Sequence, residues 1–264
     1  MSVISIEGIS KAYPNKKENA ARIVLKDVSL EIEENEFVCI VGPSGCGKTT
    51  VLNLIAGFER PNKGKLLYRG EEIVGTSPQR AVVFQEFSLF PWMDVLKNVE
   101  FSIDRKKYAP RERTELAKKY IDLVGLSEFA DHRPNNLSGG MKQRVAIART
   151  LAMQPDVMLM DEPFSALDEQ TRKKLDQEIL DIWKKEKRTV VFITHNISEA
   201  ILLGTRIIML SSSPGRIVGE WRIGSEDKDL NSEKMTVLRN EIVSRLQPCA
   251  CAGDRVRIIN IEEE

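Results

Sequence analysis

The stretch Gly42-Pro43-Ser44-Gly45-Cys46-Gly47-Lys48-Thr49-Thr50 leaves this chain little choice of fold. It is preceded by Phe37-Val38-Cys39-Ile40-Val41, apolar at every position as a buried strand is, and followed by Val51-Leu52-Asn53-Leu54-Ile55-Ala56, which suits a helix closed by Gly57. Glycines let successive backbone N–H groups turn toward one point, where they and the positive end of the following helix hold an anion. A strand, such a loop and a helix therefore make a phosphate cradle. In that cradle Lys48 reaches the β- and γ-phosphates of a nucleotide, and the Thr49 hydroxyl takes one position on Mg²⁺. At ordinary glycine frequency the G-x-x-x-x-G-K-[ST] pattern arises by accident in about 1% of chains this long. The flanking elements lower that figure, so nucleotide binding outweighs a glycine-rich turn beside an exposed lysine.

With 264 residues and 42% hydrophobic content the chain can build a real core, as one large domain or two unequal lobes. Lys+Arg and Asp+Glu number 39 each, so no overall basic field draws it to nucleic acid or to an anionic bilayer. The N-terminus lacks the pattern of a secretory signal, and no apolar run approaches the roughly 20 residues that span a bilayer. The expectation is a soluble, intracellular protein free to dock on a membrane partner. Four cysteines are too few for a disulfide scaffold, and Cys39 and Cys46 fall in the strand and in the loop, which fits a reducing compartment.

Val3, Ile4 and Ile6, then Ile23-Val24-Leu25, Val28, Leu30 and Ile32, alternate in strand fashion and suggest an antiparallel layer against the nucleotide core. Tyr13 closes the first of these strands, where its ring either packs or stacks on a base. Strand-and-turn character returns from Gly64 to Val83 and leads to Gln85. Phe87-Ser88-Leu89-Phe90-Pro91-Trp92 then concentrates aromatics in a chain with 6% of them, either as a buried loop or as a docking patch. Leu116, Tyr120, Leu123 and Val124 recur at helical spacing, so the middle third reads as a helical lobe. Ser138-Gly139-Gly140 leads into another helix, with Met141, Val145, Ala148 and Ala152 on its inward face.

Val157-Met158-Leu159-Met160 is apolar throughout, as a strand buried on both faces must be, and it delivers Asp161 and Glu162 at its carboxyl end. Two acids there are hard to explain structurally. Asp161 is placed to hold Mg²⁺ through water, and Glu162 to orient or deprotonate an attacking water. Thr189 to Thr194 is another core strand and ends in His195, as the earlier strand ends in acids. Ile207-Ile208-Met209-Leu210 adds one more before Pro214-Gly215 turns the chain.

Together these residues resemble the nucleotide-binding subunit of an ATP-binding cassette (ABC) transporter, over about residues 2–223. Gly42 to Thr50 matches the family's Walker A, Gln85 its Q-loop, Leu137 to Met141 its signature, and Met160-Asp161-Glu162-Pro163 the end of its Walker B. Ser165 to Asp168 matches the D-loop and His195 the switch histidine. Met141 departs from the family's usual glutamine, while Ser138-Gly139-Gly140 is intact.

The resemblance implies an α/β fold: a P-loop NTPase core with a mostly parallel sheet, an N-terminal antiparallel β layer and an inserted α-helical subdomain at about 86–155. Residues 1–223 would form the nucleotide-binding domain, and 224–264 a C-terminal helix and short cysteine-bearing tail. It implies ATP as substrate and a head-to-tail homodimer, each ATP lying between Lys48 and Thr49 of one copy and Ser138-Gly139-Gly140 of the other. Pro43, Ser44, Gly45, Cys46, Gly47, Thr50 and Asp168 join the nucleotide-binding set, and Tyr13 takes the adenine-stacking position. Thr49, Gln85 and Asp161 would share Mg²⁺, Gln85 would sense the γ-phosphate, Glu162 would be the catalytic base, and His195 would hold phosphate and water in line. Membrane permease subunits would receive the motion near Phe87 to Trp92. An extracytoplasmic substrate-binding protein would take part indirectly, nucleic acid would not, and the subunit would sit on the inner face of the cell membrane.

Phe90-Pro91-Trp92 and Ser213-Pro214-Gly215-Arg216-Ile217 resemble the nitrate, sulfonate, taurine and bicarbonate importer group. The rival is a soluble cassette ATPase of iron–sulfur assembly. A chromosome or DNA-repair ATPase would carry a long coiled coil between Lys48 and Ser138, for which there is no room. Met235, Leu238, Ile242 and Leu246 keep helical spacing up to Pro248. In the tail, Cys249 and Cys251 offer two thiolates per chain and four per dimer, a set for Zn²⁺ or an iron–sulfur cluster; a plain reduced tail is the simpler reading.

Overall fold

The computed structural model describes residues 2–15, 20–224, 230, 232–246 and 258–261. It divides into two compact units, Met1–Thr76 with Thr189–Glu264, and Ser77–Arg188. In chain order the first unit opens with β1 (Ser2–Asn15), β2 (Ala20–Glu33), β3 (Phe37–Val41), α1 (Lys48–Ala56), β4 (Lys63–Tyr68) and β5 (Glu71–Glu72). The second unit holds β6 (Arg80–Val83), α2 (Val95–Glu100), α3 (Pro110–Leu123), α4 (Gly139–Ala152), β7 (Val157–Asp161) and α5 (Glu169–Glu186). The first then resumes with β8 (Thr189–Ile193), α6 (Ile197–Leu203), β9 (Arg206–Leu210), β10 (Ile217–Ile223), α7 (Glu233–Leu246) and β11 (Ile258–Ile261).

In the first unit, an antiparallel sheet runs β2-β1-β4-β5, as the alternation in the first thirty residues predicts. Its other strands run β11-β10-β9-β3-β8, with β3 parallel to both β8 and β9. All positions of β3, β8 and β9 are buried. A strand covered on both faces has no polar side to alternate with, which is why these segments read as apolar runs. Burying each Val, Ile or Phe there contributes about 1.5–3 kcal/mol. The central place of β3 sets the glycine loop at the carboxyl edge of the sheet, where open α/β sheets take their ligands.

Helix α1 begins at Lys48, three residues before its apolar stripe, because Gly47 at φ 101° turns the chain into the first turn. Gly57, also left-handed, ends it by donating its N–H to the carbonyls of Leu54 and Asn53. Helix α7 buries Met235, Leu238 and Ile242 as its spacing predicts. It is fastened to β10 through Trp221, whose indole N–H donates to Glu241 at 3.3 Å while the Arg245 guanidinium lies 5.3 Å from the ring.

In the second unit β6 and β7 pair in parallel, and β7 is buried from Val157 to Met160 before it delivers Asp161. Helices α2, α3 and α4 pack on one another. The buried side of α4 is wider than a single stripe: it takes in Gln143, Ala146, Ile147 and Leu151, while Met141 is only half-buried. The reason is that α2, α3, α5 and β6 all pack against this helix, so more than one of its faces is covered.

Candidate nucleotide site

The first unit carries the loop from Gly42 to Gly47. Gly42, Gly45 and Gly47 have φ of 154°, 75° and 101°, a region that side chains with a Cβ rarely enter. At Gly42 a Cβ would also stand 2.7 Å from the Leu210 carbonyl oxygen and 2.8 Å from Cys46 Sγ. Gly47 leaves the N-terminus of α1 without a side-chain cap, the kind of helix end that suits an anion. Lys48, almost fully buried, donates from Nζ to the carbonyls of Gly42 at 2.8 Å and Pro43 at 3.1 Å, which places its charge inside the loop. Burial pushes the Cys46 thiol up against the opposing pull of Lys48, so it stays a neutral packing group.

At the end of β8 His195 is exposed while its neighbour Thr194 is buried. The Thr194 hydroxyl donates to Glu199 at 2.5 Å and accepts from the Asn196 N–H at 2.9 Å. The Asn196 side chain caps α6 by accepting from the N–H groups of Ser198 and Glu199. This bracket fixes the backbone on both sides of His195. Neither Asn196 nor Glu199 was among the expected site residues, although Asn-x-x-Glu before an apolar run is a helix-start signal. Tyr13, half-buried on β1, donates its hydroxyl to Glu59 at 2.6 Å.

The second unit carries the remaining expected residues. Ser138 caps α4, accepting from the Met141 N–H at 3.3 Å, and Gly139 and Gly140 form its first turn. Asp168 caps α5, accepting from the Thr171 N–H at 3.0 Å, and that donor holds its carboxyl below the usual range. Asp161 ends β7, half-buried. Glu162 follows with φ 43°, an uncommon conformation for a residue with a side chain, and its carbonyl accepts from the Ser165 N–H and hydroxyl. Gln85 lies exposed just after β6.

The aromatic stretch is neither wholly buried nor wholly exposed: Phe90 is half-buried and Trp92 is 67% exposed. Phe90 packs edge-on against Phe101 at 4.7 Å and lies 5.5 Å from Trp92. Beneath them Asn98, fully buried, accepts from the Phe90 N–H and donates to the carbonyls of Phe90, Met93 and Asp94. Arg149 of α4 donates to the carbonyls of Ser88 at 2.6 Å and Phe87 at 3.3 Å, which ties this stretch to the signature helix. No sequence pattern announced Asn98 or Arg149, because their partners are backbone groups of other segments.

The family model described as ABC transporter matches residues 25–165. This chain belongs to the ABC transporter family. As a member it is an ATP-binding, ATP-hydrolysing subunit with the family's P-loop fold. It is 47% identical over 246 residues to an uncharacterized ABC transporter ATP-binding protein of Methanocaldococcus jannaschii, covering 92% of this chain and 91% of that one. It is 43% identical to the nitrate import ATP-binding protein of Synechocystis, covering 86% of each. To the taurine import ATP-binding protein of Ruegeria pomeroyi it is 42% identical, covering 91% and 90%. A dimeric ATP-binding cassette in a post-hydrolysis state bound to ADP and Pi superposes with a TM-score of 0.73 at 34% identity, covering 84% of this chain and 99% of that one.

Among the described residues no helix is long and apolar enough to cross a membrane, and no group of three His, Cys, Asp or Glu is disposed to hold a metal. Cys249 and Cys251 lie outside the described residues.

Proposed function

We propose that this chain powers an importer of a small anionic solute, through separate membrane permease subunits. The observation that carries this reading is its 43% identity to a nitrate import ATP-binding protein across 86% of the chain. Nitrate and the sulfonate taurine, the solute of a second relative, share a compact anionic group.

In this reading the uncapped N-terminus of α1 and Lys48 hold the β- and γ-phosphates of ATP. Thr49, Gln85 and Asp161 offer a hydroxyl, an amide and a carboxylate, the oxygen donors that would hold Mg²⁺, which would supply neutralisation of phosphate charge. Glu162 accepts the proton of the attacking water, and His195, held by its bracket, orients the γ-phosphate. Ser138, Gly139 and Gly140 of a second copy close on that phosphate head to tail, with Asp168 beside them. ATP then joins two copies, and its hydrolysis releases them.

The chain works on the cytoplasmic face of the membrane, with the Phe90-Pro91-Trp92 turn meeting the permease and an extracytoplasmic binding protein delivering the solute. Residues 1–223 make up the working domain, with the helical part at about 86–155.

Glu162→Gln decides the dimer cycle. With saturating ATP it is expected to run as a dimer by light scattering while turnover falls by about 10²–10⁴; a monomer under those conditions overturns the reading. Uptake of labelled nitrate or taurine by cells with and without this subunit tests the solute class, and unchanged uptake of both rejects it.

A further inference from the structure

An aromatic ring at the end of a strand can turn about two side-chain bonds, and to serve as a platform for a base it must hold one orientation. Tyr13 is held by its hydroxyl, which donates to Glu59 Oε2 at 2.6 Å and lies 3.5 Å from Thr50 Oγ1. Lys11 Nζ meets the same carboxylate oxygen at 2.9 Å, donates to the Arg60 carbonyl at 2.8 Å and stands 5.2 Å from the centre of the Tyr13 ring. Asn53 Nδ2 donates to the other oxygen at 3.3 Å.

Lys11 and Glu59 side chains are only 13% and 24% exposed. Burial raises the Glu59 carboxyl, but donation from Tyr13, Lys11 and Asn53 outweighs it and holds the group below its usual range. Burial and the Glu59 acceptor raise the Tyr13 phenol, which keeps it a donor. Asn53 and Thr50 belong to α1, the helix whose first turn forms the phosphate cradle. One carboxylate thus ties the ring to the element that carries the phosphates.

We infer that Glu59 is a positioning residue for the nucleotide base: by fixing the Tyr13 ring relative to α1, it sets the base platform at a constant distance from the phosphate loop. The inference rests on the reading of Tyr13 as the adenine platform. With Lys11 over one face of the ring, the base takes the other.

The test measures ATP affinity and kcat on the purified full chain, with inorganic tripolyphosphate as a competitor that has phosphates and no base. Tyr13→Ala is expected to weaken ATP binding by roughly tenfold or more, the range of a lost base-stacking ring. Glu59→Leu and Tyr13→Phe should each weaken it by roughly three- to tenfold, since both lose the anchor and Phe keeps the ring. The double variant should be no weaker than either single one. Glu59→Gln keeps an oxygen for the Tyr13 hydroxyl and should recover most of the affinity. In Glu59→Leu and Glu59→Gln kcat at saturating ATP and competition by tripolyphosphate stay at the parent value. If Glu59→Leu does not fold, Tyr13→Phe and Glu59→Gln decide alone.

If Tyr13→Ala weakens ATP while Tyr13→Phe and Glu59→Leu do not, Glu59 positions nothing and the base reading survives. Equal losses for ATP and tripolyphosphate in Glu59→Leu would place the effect on the phosphate loop and overturn the inference. Parent-level affinity in Tyr13→Ala removes the base platform, and the inference with it.

Discussion

Two glycine-rich stretches lead into helices in this chain, and they use glycine for opposite reasons. From Gly42 to Gly47 the glycines supply backbone conformations that other residues resist, and the helix that follows has no side-chain cap. At Gly139 and Gly140 no positive φ occurs, and Ser138 caps the helix. Those glycines supply room instead: a Cβ on Gly140 would stand 2.7 Å from the Thr171 methyl, and one on Gly139 3.2 Å from Leu167. The first loop is bent by its glycines; the second is thinned so that α4 can lie close to the start of α5.

The contrast predicts graded damage. Lys48→Ala should be the severest change, lowering phosphate release at saturating ATP by about 10²–10³, since a fixed charge inside the cradle is lost. Gly42→Ala should cost about 2–4 kcal/mol in denaturant unfolding, because both its φ and the Leu210 carbonyl oppose a methyl group. No side-chain change should rescue it. Gly140→Ala meets a side chain rather than backbone and should cost about 1–2 kcal/mol, with much of that restored by Thr171→Ser. An equal loss that Thr171→Ser leaves untouched would erase the distinction between the loops. Ser138→Ala should cost about 1 kcal/mol, the worth of a cap.

The smallest effect is a pH dependence at the neighbouring cap. Asp168 has its folded pKa lowered by the Thr171 amide, so its contribution is complete above the unfolded pKa of about 3.9 and fades as pH falls through the folded value. Asp168→Asn, which caps without titrating, should flatten that part of the acid-unfolding curve.

What the sequence makes legible follows the same division. The strands β3, β7, β8 and β9 show themselves because full burial demands unbroken apolar runs, and the loop and signature because short-range geometry demands glycine, lysine and serine at fixed offsets. The expected stripe on α4 was too narrow, since a one-face pattern takes no account of neighbours on several sides. Glu59 went unread because its partner Tyr13 lies 46 residues away, and nothing local pairs them. The left-handed turn at Glu162 is equally silent, for glutamate has no preference for it.

For the proposed contact between the Phe90-Pro91-Trp92 turn and a permease, Asn98 has a consequence. With its amide spent on the carbonyls of Phe90, Met93 and Asp94, the turn beneath Trp92 is stiffened from within, and the indole stands on it like a peg in a board. A surface that seats this peg has little chain to immobilise, so its fit is judged by the shape of the socket and not by the willingness of a loop to adapt. Loosening the board with Asn98→Ala would turn a rigid key into a pliable one.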